Sequence, residues 1–257
     1  KVSAPKFIYS FNKETTDLYR TNLTTGEKSH QTLRFETYAF RRAPICEIPG
    51  GSLYFAGGWN RYFSASSEVF SIETQKEFSL IAKPPLLPPR GGHRLVYDNG
   101  SLYAVGGSYH EDLKQCDRFL VNENRWETFA SLPYPCEATS LIALTQFNCI
   151  YALGGCSDSQ TLNLIQRLSL DNLTWDVLPL KLQMPASIIA SFKLDESQVY
   201  FVIEKTLYLF SPLSDEILPI NVLNCSPKSY IGTSYYSMGS LFLMSWEGYA
   251  EEFEIAL

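Results

Sequence analysis

Hydrophobic positions along the 257-residue chain fall in short β-rich runs separated by polar loops, and the runs recur. Leu53-Tyr54-Phe55-Ala56 is followed by Gly57-Gly58, Leu102-Tyr103-Ala104-Val105 by Gly106-Gly107, and Ile150-Tyr151-Ala152-Leu153 by Gly154-Gly155. The three tyrosines are 49 and 48 residues apart. One more step of 49 reaches Tyr200 in Val199-Tyr200-Phe201-Val202, where Ile203-Glu204 stand in place of the glycines. Leu241-Phe242-Leu243-Met244, followed by Ser245-Trp246, is a weaker copy, and Ile8-Tyr9-Ser10-Phe11 is another, 45 residues before Tyr54. Self-similarity at a fixed period means that one supersecondary unit is repeated, each unit burying its apolar faces against its neighbours.

The flanks agree with the runs. Before the second strong copy stands Pro89-Arg90-Gly91-Gly92-His93-Arg94-Leu95-Val96-Tyr97-Asp98, then Asn99-Gly100. Asn-Gly suits a two-residue hairpin turn, whose central positions need positive φ. After it come an alternating run at 117–121, a polar turn and Trp126; the next unit ends the same way on Trp175, 49 residues on. Each unit therefore reads as four short antiparallel strands, placed in the third unit at 93–98, 101–105, 116–121 and 126–130. The first unit supplies three strands (7–11, 17–23, 28–33), and so does the last (230–237, 241–245, 250–256).

A period near 50 with a Gly pair closing a strand, and a Trp on the outer strand, resembles the kelch repeat. The resemblance covers essentially the whole chain and implies an all-β, kelch-type β-propeller, an architecture shared with WD40 proteins. The expected domain is single, 1–257, in units 1–35, 36–83, 84–132, 133–181, 182–223 and 224–257. Six four-stranded blades are expected, five being the alternative, with strands exchanged at the seam between the two ends. Glycine tolerates the close approaches needed where blades converge.

Composition changes this picture little. Hydrophobic residues at 45% suffice for a core, and 14% aromatic residues favour strands. A net charge of −6 without any Lys/Arg-rich run argues against nucleic acid as partner. No apolar stretch approaches the roughly 18 residues of a membrane helix, so no membrane partner is expected. The chain starts at Lys1, which fits a piece of a larger protein. The six cysteines form no Cys-x-x-Cys pair and read as thiols of a reducing, cytoplasmic compartment. A secreted form is the alternative, in which Asn22, Asn99, Asn172 and Asn224 would be glycosylation acceptors.

Chemistry is sparse. His30, His93 and His110 fall in different units, so neither a metal site nor a cofactor is expected. No Gly-x-Ser-x-Gly elbow, P-loop or dinucleotide fingerprint is present, and no catalytic residue is assigned. The expectation is a monomeric, non-enzymatic module binding another protein or peptide, as an adaptor or scaffold. A carbohydrate-active propeller enzyme or a lectin-like binder is the alternative. In kelch propellers the loops after the Gly pair and those before the inner strand share one face. Projected onto this chain, that face holds Arg41, Arg42, Trp59, Arg61, Tyr62, Arg90, Tyr109, His110, Ser157, Asp158, Lys228 and Tyr230. Aromatic residues and arginine are the usual anchors of interfaces, and the arginines suit an acidic or phosphorylated segment.

Overall fold

The computed structural model describes residues 7–11, 17–33, 43–60, 62–74, 78–187, 190–223, 230–237, 239–245 and 250–255. The chain divides into two compact units, one made of Lys1–Phe35 with Ile188–Leu257 and the other of Glu36–Ser187. Both are built from strands, paired antiparallel apart from one parallel bridge in the first unit. Among the described residues the only helical segment is one 3-10 turn, Thr145–Phe147, and no helix is long and apolar enough to cross a membrane.

In the first unit, β1 (Phe7–Phe11), β2 (Asp17–Asn22) and β3 (Lys28–Thr32) form a three-stranded meander. The second unit, Glu36–Ser187, holds three four-stranded sheets. The first is β4 (Ile45–Ile48), β5 (Ser52–Ala56), β6 (Val69–Glu73) and β7 (Ser79–Lys83). The next has β8 (Arg94–Asp98) and β9 (Ser101–Val105), then the small hairpin β10 (Ser108–Tyr109) and β11 (Glu111–Asp112), then β12 (Cys116–Leu120) and β13 (Arg125–Thr128). The third has β14 (Ser140–Leu144) and β15 (Cys149–Leu153), the small hairpin β16 (Cys156–Ser157) and β17 (Gln160–Thr161), then β18 (Leu164–Ser169) and β19 (Thr174–Lys181). Back in the first unit, a fourth complete sheet holds β20 (Ala190–Lys193), β21 (Val199–Ile203), β22 (Thr206–Ser211) and β23 (Glu216–Val222). A single parallel pair, Ser191 with Thr233, links it to β24 (Tyr230–Ser237), β25 (Ser240–Ser245) and β26 (Ala250–Glu254). Besides the small hairpins, the described strands form four four-stranded groups and two three-stranded ones, β1–β3 and β24–β26. Pairing between β1–β3 and β24–β26 is not among the pairings of the described residues. The two small hairpins, β10–β11 and β16–β17, are features that the repeat pattern did not announce.

Burial explains why the second strand of each unit carries the strongest signal. Every residue of β9, β15 and β21 is buried, as are four of the five in β5, whereas the outer strand β13 has none buried. A strand covered on both faces reads as a continuous apolar run, while an outer strand alternates. Within Glu36–Ser187 neighbouring sheets pack face to face. Tyr54 meets Leu102 and Phe119, with the Tyr54 and Phe119 rings 5.9 Å apart and Trp126 5.1 Å from Phe119. Tyr103, Val105 and Cys116 meet Ala143, Ile150, Leu168 and Trp175 in the same manner. Each such buried side chain stabilises by about 1.5–3 kcal/mol. Trp126 also donates from Nε1 to the Pro84 carbonyl at 2.9 Å, tying the outer strand to the connection that precedes its own sheet.

That connection carries a second repeat, hidden in the sequence. Leu86, Leu132 and Leu182 are buried, and their amides donate to Ser67, Lys114 and Asn163 carbonyls at 2.8–2.9 Å. Each leucine pins the chain as it returns from an outer strand to the next inner one. The first of these connections ends on Arg90, which is fully buried and ion-paired to Asp117 at 2.5 Å. The carbonyls of Leu87 and Gln115 accept further guanidinium bonds at 3.2 Å. Asp117 in turn accepts from Gln115 Nε2 at 3.0 Å and Thr128 Oγ1 at 2.6 Å. Burial disfavours the guanidinium charge, and Asp117 opposes that loss. A buried pair of this kind is sensitive to the removal of one partner only. Asp117→Ala is expected to lower the unfolding free energy by about 3–5 kcal/mol, and the joint Arg90→Met/Asp117→Leu replacement by clearly less. Denaturant titration of the two variants checks this, and equal losses would refute it.

Candidate partner-binding face

The Gly pairs build the face, and their geometry repeats. Gly57 and Gly58 have φ of 56° and 98°, Gly106 and Gly107 of 62° and 99°, Gly154 and Gly155 of 58° and 105°. A side chain at Gly106 would place its Cβ 2.2 Å from the Cys136 carbonyl oxygen, and one at Gly57 2.5 Å from that of Arg90. Only glycine fits both demands. The second glycine of each pair then donates its N–H across to the next unit. Gly58 donates to Arg90 O at 2.8 Å, Gly107 to Cys136 O at 2.9 Å and Gly155 to Ala186 O at 2.8 Å.

The two loop families thereby interleave. Gly91 and Ser108 exchange both backbone bonds, at 3.1 and 2.8 Å, and so do Glu137 and Cys156, at 2.9 and 2.8 Å. Ala138 N–H donates to the Gly92 carbonyl at 2.7 Å. The tips of the small hairpins are joined as well, because Asp158 N–H donates to Asp112 Oδ2 at 2.7 Å. Within Glu36–Ser187 the expected sharing of one face by the two loop families is thus made by backbone hydrogen bonds.

The sequence-predicted residues divide. Tyr62 stands at a loop tip, 70% exposed, beside Phe63 at 72%. Asn60 holds this tip: its Oδ1 accepts from the amides of Tyr62 at 2.8 Å and Ser64 at 2.9 Å. Phe63 has φ of 59°, an unusual conformation for a bulky residue and a sign of local constraint. Tyr109, half-buried, lies 4.2 Å from the ring of exposed His110 in the β10–β11 tip. Ser157 and Asp158 lie in the β16–β17 hairpin, Ser157 half-buried and Asp158 exposed. Asp158 and Ser159 both have positive φ, as a two-residue mirror-image turn requires. Arg41, Arg42, Arg61 and Lys228 lie outside the described residues, and of Tyr230 only the backbone, in β24, is described.

One expectation is corrected. Arg90 is not available to a partner: its guanidinium is enclosed and committed to Asp117. Trp59 has a seat of its own within the loops. Its half-buried indole lies on Gly91, where a Cβ would come within 2.1 Å of Cε2. With Arg90 withdrawn, the charges on the described parts of these loops are Glu111, Asp112, Glu137, Asp158 and Lys114; four of the five basic residues expected there lie outside the described residues. Asn60, the organiser of the aromatic tip, was not singled out in the sequence; an Asn at the start of a turn is its signal. The described cysteines are free thiols. Burial pushes Cys46 and Cys116 up to about 12 and Cys136 up as well, which suits packing and not nucleophilic chemistry.

Four-stranded sheets repeated along the chain and joined through glycine pairs at one rim define a β-propeller. Residues 89–133 match the Kelch motif. Kelch repeat and BTB domain-containing protein 8 of Homo sapiens is 32% identical over 130 residues, covering 45% of this chain and 21% of that protein. Kelch repeat and BTB domain-containing protein 1 of Camelpox virus (strain CMS) is 25% identical over 183 residues, covering 67% of this chain and 32% of that protein. The chain therefore spans a fifth to a third of the length of these relatives.

The contact between Trp59 and Gly91 is directly testable. Gly91→Ala is expected to push the indole off its seat, altering tryptophan emission and lowering stability by about 1–3 kcal/mol. Unchanged emission and stability would show that Trp59 does not rest there.

Proposed function

We propose that this chain is a non-enzymatic protein-interaction module that holds a peptide or a partner's loop on the face made by the Gly-pair loops. The observation that carries this reading is the pair Tyr62 and Phe63, two large aromatic side chains held out to solvent by a turn fixed on Asn60. Ordering such a tip in advance lowers the entropy lost on binding, and aromatic anchors dominate binding energies. Tyr109 and His110 extend the surface through the linked hairpin tips.

Relatives whose names pair kelch repeats with a BTB domain support a role as adaptor or scaffold, in which this module captures and a further domain acts. Free, buried thiols fit a reducing compartment, and we place the protein in the cytoplasm. Arg41, Arg42, Arg61, Lys228 and Tyr230 stay in the proposed face as residues of the same loop families.

Proteins retained from native cell extract by the intact chain and by a Tyr62→Ala/Phe63→Ala/Tyr109→Ala variant should differ, with an Arg125→Ala variant on the outer strand β13 as control. The retained partner, purified, should bind the triple variant at least about tenfold more weakly, since each lost anchor costs about 1–2 kcal/mol or more. Equal retention by all three chains would refute the assignment of the face.

A further inference from the structure

His93 sits just before β8, within the joint that makes the loop face, and it is fully buried. Neither ring nitrogen has a hydrogen-bond partner. Such groups are rare, because an unmade bond in the interior costs free energy. The ring occupies room that two glycines leave. A Cβ at Gly57 would lie 2.8 Å from His93 Cε1, and one at Gly107 2.8 Å from His93 Cβ. The residue is therefore wedged between the Gly pairs of two successive sheets. Its charged surroundings are of one sign: the guanidiniums of Arg90 and Arg94 both oppose a proton on the imidazole. Two carboxylates of the joint are otherwise engaged. Asp117 is paired with Arg90, and Glu137 lies against Gly92 with Oε1 3.4 Å from Cys156 Sγ.

We infer that His93 is a proton-operated latch on the loop face, closed while the imidazole is neutral and released when the joint opens and the imidazole takes up a proton. In the closed joint burial holds His93 well below its ordinary range, so the proton is refused. In the open joint the ring is hydrated and titrates near 6.5. Above that pH the latch is indifferent to protons. As pH falls below it, protonation favours the open form, tenfold for each further unit until the closed form's own value is reached. The bonds that open are those of the joint: Gly58 to Arg90, and the pair between Gly91 and Ser108. If the proposed face is the binding face, acidification also releases the partner; that corollary rests on the functional reading above, while the latch does not.

Native-state hydrogen exchange on the intact chain tests the latch without any partner. From about pH 7.5 to about pH 5.5, the opening constants of the Gly58, Gly91 and Ser108 amides, corrected for intrinsic exchange, should rise about tenfold. Amides of β15, far from His93 in sequence and opened only by global unfolding, should keep a constant ratio to the overall stability. His93→Gln, which cannot titrate, should flatten the response of the joint. A joint that opens only together with β15, a flat response in the wild type, or a response that survives His93→Gln would each overturn the inference. Should His93→Gln fail to fold, the comparison of joint and β15 amides in the wild type decides alone.

Discussion

Between successive sheets of Glu36–Ser187 one contact recurs, an amide of a positive-φ glycine donating to the carbonyl that precedes the next inner strand. Side-chain packing between sheets supplies most of the burial, but it does not set their register. Those contacts are many and individually weak, whereas a hydrogen bond of 2.8 Å between fixed backbone atoms sets one position. The glycine pair allows two backbones to come this close, and the buried leucines of the returning connections hold the acceptor carbonyls in place. The loop face exists because this joint is repeated.

The same joint governs the buried polar groups. Arg90 offers its carbonyl to Gly58 and its guanidinium to Asp117, so one residue serves the rim and the interior together. His93, three residues on, has the opposite character: buried, unsatisfied and surrounded by positive charge. A fully satisfied pair makes the joint rigid. An unsatisfied imidazole beside it makes the joint responsive, since the cost of its burial is a standing bias toward opening.

The repeat was legible in the sequence because its strongest elements are those buried on both faces. Tyr54, Tyr103, Tyr151 and Tyr200 all mark second strands, and the strands expected in the third unit fall within a residue or two of β8, β9, β12 and β13. The loop of exposed Tyr62 and the shared rim were expected from the kelch resemblance, projected through the Gly pairs. Arg90 was misplaced because charge in a loop beside glycines looks like a surface feature, and its partner Asp117 lies 27 residues away on another strand. The seat of Trp59 was not legible for a related reason: nothing local says that Gly91 of the next unit will receive the ring. The returning leucines were missed because 86, 132 and 182 are unevenly spaced, the connections differing in length while their anchoring bonds do not.

A joint made of main-chain atoms has a consequence for how such a chain can diverge. Apart from the glycines, it asks little of the side chains at the rim, and a hairpin tip such as Asp158-Ser159 asks only for residues that tolerate positive φ. Substitutions at Tyr62, Phe63, Tyr109 or His110 leave the donors and acceptors of the joint in place. Inheritance can therefore redraw the chemistry of the rim residue by residue while the scaffold beneath is conserved, so that related chains share an architecture and differ in what they recognise.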